Sequence, residues 1–131
     1  MITLATLNDA TAQEVFDQAA RHMMTQFKKS NMHGICAYRG ENGLKCVAGC
    51  FIADDEYTPE MDIASNSSWS SLLHSNLRQH TKHDFLIIEL QQIHDRGGSG
   101  WCGDLRYWSK QLFELAVIYE LNADVLKEFK P

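Results

Sequence analysis

Apolar residues recur at three- and four-residue spacing from Ala12 through Val15, Phe16, Ala19, Ala20, Met23, Met24 and Phe27. Such a stripe is one face of an amphipathic helix. Thr11-Ala12-Gln13-Glu14 reads as a capping box in front of it, and Lys28 and Lys29 sit where the helix dipole favours cations. The pattern predicts a helix over about 11–29. Further on, Ser67 or Ser68 caps a segment in which Trp69, Leu72, Leu73 and Leu77 share a face. Asp84 precedes a stretch whose regular stripe is Leu86, Leu90 and Ile93, read as helix although its Ile87-Ile88 pair leaves a strand open. Asp104 caps a last long helix carrying Leu105, Trp108, Leu112, Leu115, Ala116 and Tyr119, and a short piece from Ala123 to Phe129 closes the chain.

Between the first helix and these lies the one β signal. Ile35–Arg39 and Leu44–Ala48 flank Gly40-Glu41-Asn42-Gly43, and Asn-Gly tolerates the positive φ of a tight hairpin turn. A lone hairpin is marginal in water and must pack on helices. Pro59 fits the first turn of a short helix with Thr58 as its cap. There is no internal repeat, low-complexity tract or long linker. The expected fold is α+β: one mainly α domain over residues 1–131, with a small β-hairpin at about 35–48 packed on three to five helices.

Composition narrows the class. The 131 residues are 44% hydrophobic and 22% charged, the profile of an ordinary globular domain rather than a disordered chain. No apolar run approaches a bilayer span, and the N-terminus lacks a basic region followed by an apolar stretch, so a soluble, cytoplasmic protein is expected. Charge matters more by position than in sum. Residues 51–66 carry Asp54, Asp55, Glu56, Glu60 and Asp62 with no base, which equals the whole net charge of −5. The longest basic run is Lys28-Lys29, too little for duplex nucleic acid.

Several residue groups bear on chemistry. Cys36, Cys46 and Cys50 with His33 would make a zinc set if the hairpin folded back on the following turn. Their spacing lacks the paired short knuckles of structural zinc sites, and free cysteine packs as a small hydrophobe, so no metal or other cofactor is expected. Cysteine–histidine nucleophile chemistry, with His33 three residues before Cys36 and His94 elsewhere in the chain, would need a thiolate held by a neighbouring base. Gly97–Gly103 precedes a helix start flanked by Arg96 and Arg106, but no Lys-Ser/Thr ends it and Asp104 repels an anion. Trp101 in that loop is a candidate stacking residue. His80 and His83, three apart, have no acidic partner in a ligand pattern. Asp54-Asp55-Glu56 lacks a calcium loop's alternating oxygens, and reads instead as a docking segment for a basic surface with Tyr57 and Met61 as apolar anchors.

The string from Cys36 to Tyr57 fits the pattern C-x-Y-R-G-x-x-G-L-K-C-x-x-G-x-x-I-x-D-x-E-Y. In this it resembles a group of small uncharacterised proteins of tailed bacteriophages and some bacteria. The similarity covers about residues 8–63 and extends weakly to Leu90–Asp95, whereas Gly97–Gly103 departs from the shorter polar or Pro-containing connectors of that group. What the resemblance implies is a phage-derived accessory protein in the host cytoplasm, with no activity attached. Within the motif, Arg39 and Lys45 face Asp54, Asp55 and Glu56 in charge, either as a rim that presents Tyr38 and Arg39 to a partner or as internal ion pairs.

The leading expectation is a non-enzymatic protein that binds a host bacterial protein, in host takeover or anti-defence, through Tyr38, Arg39, Lys45, Asp54, Asp55, Glu56, Tyr57 and Trp101. The alternatives are a protein that sequesters a nucleotide-like small molecule and a small Cys/His enzyme. No membrane partner is expected, and the aromatic Trp101–Tyr119 region leaves a homo-oligomer open.

Overall fold

The structure, a computed structural model, describes residues 1–32, 35–64, 68–96 and 103–129. Among these, six α-helices carry the fold: α1 (Ala12–Gln26), α2 (Val47–Cys50), α3 (Pro59–Ala64), α4 (Trp69–His74), α5 (Asp84–Asp95) and α6 (Leu105–Ile118). Short 3-10 segments lie at Leu7–Asp9, Glu41–Gly43 and Asp124–Phe129. The capping box at Thr11 and Glu14 forms as the sequence predicts. The helix ends at Gln26, short of Lys28 and Lys29, because Phe27 turns left-handed with φ 56° while its amide still bonds Met23 O. Ser68 caps α4 and Asp104 caps α6, each accepting an amide of the first turn.

The expected α+β architecture is not what the chain adopts: the fold is helical, and residues 35–48 form no hairpin. Among the described residues the one ladder of paired strands joins β1 (Asn31–Met32) and β2 (Ile35–Cys36), antiparallel and two residues each. The Asn-Gly turn does form, with Asn42 at φ 58° and Gly43 at φ 75°, and Gly40 N bonds Leu44 O at 2.8 Å. Beyond that one bond, side chains from distant elements take the groups a strand ladder would use. The Asp62 carboxylate accepts the amides of Tyr38 (2.8 Å) and Arg39 (3.3 Å). The Gln26 amide takes both Lys45 N (2.9 Å) and Lys45 O (2.8 Å). Cys46 then accepts Gly49 N as the cap of α2, and Gln91 Oε1 accepts Ala48 N at 2.9 Å. A helix-initiating cysteine thus replaces the second strand.

α5 is the hub, packed against α1, α2, α4 and α6. Its Leu86, Ile87 and Leu90 meet a core built with Val15, Phe16, Ala19, Ala20 and Met23 of α1 and Val47, Ala48, Phe51 and Ile52 around α2. Phe51 meets Trp69 edge-to-face at 6.4 Å, and Trp108 stacks on His94 at 5.7 Å. α5 and α6 run antiparallel: Trp108 Nε1 bonds Arg96 O at the end of α5, and Tyr119 OH bonds Glu89 in its middle. No helix among the described residues is long and apolar enough to cross a membrane.

Candidate functional site

The motif residues converge, but mostly on one another. Arg39 reaches back over the end of α2, donating to Gly49 O (2.9 Å) and to Ile52 O, and touching Asp54 at 3.2 Å. The same guanidinium lies over the Tyr57 ring at 5.0 Å. Helix ends leave carbonyls unpaired, and a buried guanidinium is well suited to cover several at once. Tyr38 is fully buried with its hydroxyl donated to Ser68 O. It is therefore not a stacking platform for a ligand, and the rim expected to present Tyr38 and Arg39 is instead an internal network.

Asp62, on α3, organises that network. Besides the two amides it accepts the Tyr57 hydroxyl, and burial together with this bond pushes the Tyr57 phenol up to about 12. Glu56 is equally occupied: it accepts Leu4 N (3.0 Å), Ala5 N (2.9 Å) and Ala53 N (2.8 Å), pinning the N-terminal segment to the motif. Met61 is buried and Tyr57 half-buried, so neither is the free apolar anchor that was expected. The acids of this segment left on the surface are Asp54, Asp55 and Glu60, with Ile63 at 83% exposure. Glu60 and Ile63 stand three apart on α3 and are neighbours on its surface.

Lys45 is the motif cation that opens onto a cavity. A groove of about 750 Å³ runs beside α1, lined among others by Met1, Asp17, Arg21, His22, Lys45 and Cys50. Its wall is a ladder of α1 side chains four residues apart. Gln18 bonds Ile2 N, Ile2 O and Cys50 O; His22 Nε2 lies 2.8 Å from Lys45 O; Gln26 holds Lys45 as above. Burial lowers the His22 pKa, and the bond to the Lys45 carbonyl, an acceptor, requires a proton on Nε2. The rim is of mixed sign: Arg21 pairs with Glu128 at 3.2 Å and Lys45 with Asp54 at 3.8 Å.

The thiols are structural in placement. Cys46 is fully buried and its thiol is raised by burial; Cys50 is pushed up to about 12 by the same cause. Cys36 is half-buried, and a hydrogen bond from Cys46 lowers its pKa. The raised thiols of Cys46 and Cys50 run opposite to what a nucleophile needs. Among the described residues no group of three or more His, Cys, Asp or Glu side chains stands close enough to hold a metal. His83 bonds Ala10 O and His80 faces Asp84, so those two do not converge. His33, Trp101, Cys102 and nearly all of the Gly97–Gly103 loop lie outside the described residues.

Sequence reasoning misses Gln26, Asp62 and Gln91, whose amide and carboxylate groups take the motif's backbone. His94, the histidine that cysteine nucleophile chemistry would call on, is buried on α5 with Nδ1 3.1 Å from Asp95 and with Nε2 unpartnered among the described residues. Gln91 and His94 are polar residues at core-facing positions of a helix, which is the one signal that marks them. No family profile matches the chain, and neither curated proteins nor solved structures match it.

Proposed function

We propose that the protein is a phage-encoded accessory protein that binds a host bacterial protein in the host cytoplasm, without catalysis. The phage origin rests on the resemblance of the Cys36–Tyr57 string. The observation that carries the binding reading is the surface of α3 and the turn before it. Ile63 is 83% exposed beside Glu60, and Asp55 and Glu60 make no ion pair among the described residues. An exposed apolar side chain rimmed by unpaired acids fits a basic protein surface. This reading calls on no metal or cofactor, no membrane and no duplex nucleic acid.

The test is affinity capture from host lysate, followed by binding of the purified target. Ile63→Lys and the pair Asp55→Lys, Glu60→Lys should each weaken binding by about ten-fold or more, and added salt should weaken the wild-type complex. Binding that is indifferent to all three changes would remove this surface from the proposal.

The groove beside α1 favours a second reading, sequestration of a nucleotide-like small molecule. Its volume of about 750 Å³ lies within the range of ligand sites, and Arg21 and Lys45 supply cations at its edge. Native mass spectrometry of gently purified protein tests it: an added mass lost in an Arg21→Ala, Lys45→Ala variant supports the groove, and an apo mass leaves the protein-binding reading alone.

A further inference from the structure

We infer that the protein forms a two-fold homodimer through the outer face of α6, with the two copies of the helix antiparallel. α6 buries Trp108, Leu112, Leu115 and Ala116, yet its opposite side leaves Phe113 at 57%, Val117 at 62% and Ile118 at 74% exposure. Arg106, Lys110, Phe113 and Val117 follow one another along α6 in steps of four and three, Glu120 comes three further on just past the helix end, and all are exposed. That spacing is the seam of a helix–helix contact.

The order of charge along this face identifies the occupant. Arg106 and Lys110 occupy the N-terminal half, Glu114 stands just past the middle, and Glu120 follows the C-terminal end of the helix. None of the four makes an ion pair within the described chain. A helix macrodipole favours the reverse order, acids first and bases last, so the arrangement is not explained within the helix itself. A second copy laid antiparallel brings each Lys110 toward the partner subunit's Glu120, while Glu114, next to the two-fold axis, gains no partner. A parallel copy would set like against like.

The register follows from the seam. With the two-fold axis level with Leu115, Phe113 lies beside the partner subunit's Val117, and Lys110 reaches the partner subunit's Glu120. Each pair recurs by symmetry, as an isologous contact requires. A seam along one helix of 14 residues covers less than the roughly 800 Å² per partner of a standard interface, so the dimer is concentration-dependent.

Sedimentation equilibrium on the full chain, from about 1 μM to about 1 mM, tests the contact. The wild type should rise from 14.9 kDa toward twice that mass. Phe113→Glu should stay monomeric with an unchanged circular dichroism spectrum, since the residue lies on the surface. Lys110→Glu alone and Glu120→Lys alone should each weaken the dimer by about ten-fold or more. An equimolar mixture of those two variants should recover it, because each copy then meets the opposite charges; a folding defect would not be rescued by mixing. Ile63→Lys should leave the mass unchanged, which keeps this contact separate from the host-binding surface. A monomer at every concentration, a dimer indifferent to Phe113→Glu, or no recovery on mixing would each overturn the inference. So would a monomer that uses Phe113 to hold a different protein.

Discussion

Gly49 lies against the backbone of Tyr38 so closely that a β-carbon there would stand 2.3 Å from the Tyr38 carbonyl oxygen. The contact joins the first turn of α2 to the coil that precedes the Asn-Gly turn, and Arg39 clamps the same place by bonding Gly49 O. The motif thus holds two backbone segments at a distance that only glycine allows. Gly49→Ala should destabilise by about 2 kcal/mol or more through the backbone clash, although helix propensity alone favours Ala by about 1 kcal/mol. Urea unfolding measures the sign; a neutral or stabilising result would mean that the two segments separate at little cost.

Arg78 is a second internal clamp, with its side chain only 2% exposed. It donates to Trp69 O, to Gln79 O and to Asp84, and lies 4.1 Å from the Trp69 ring centroid. Arg78→Ala should cost about 2 kcal/mol or more, because the Trp69 carbonyl loses its buried donor and the partly buried Asp84 loses its cation. Burial alone raises the Asp84 carboxyl, but bonds from Trp69 and Thr81 and the Arg78 charge outweigh it and hold the group below its ordinary value. A depressed carboxylate stabilises the fold above its unfolded pKa, and that contribution is lost as pH falls through the folded value. Unfolding midpoints should therefore drop below about pH 4, and Asp84→Asn should flatten that part of the profile.

Tyr57 and Tyr119, bonded to Asp62 and Glu89, are both pushed up to about 12, chiefly by burial and then by the carboxylate. For a phenol raised in the folded state, the added stability is complete below about pH 10 and fades as pH rises toward 12. Ultraviolet titration of Tyr57→Phe should show one fewer late-ionising group than the wild type. An unchanged late step would place the Tyr57 hydroxyl in water.

Brief alkylation of the native protein at pH 8, followed by peptide mapping, should modify Cys36 ahead of Cys46 and Cys50. The first is half-buried with a lowered pKa, and the other two are buried and raised. Early modification of Cys46 or Cys50 would show that α2 opens readily. Unfolding in denaturant should equalise the three.

The capped helices were legible in the sequence because their determinants are local. Thr11 with Glu14, Ser68 and Asp104 each satisfy an amide three residues away, and the apolar stripes of α1, α5 and α6 need only a 3.6-residue period. Local too was the Asn42-Gly43 turn, which forms as its residues require. What tertiary structure alone decided is the fate of the segments on either side of that turn. Gln26, Asp62 and Gln91 come from 19 to 43 residues away in the chain to take the backbone groups that a hairpin would have paired. Similarly, the motif's charges announced an interaction but not its direction. Arg39 and Glu56 turn inward because helix ends and the N-terminal segment offer carbonyls and amides that burial would otherwise leave unbonded, whereas Asp55 and Glu60 meet no such group and stay at the surface.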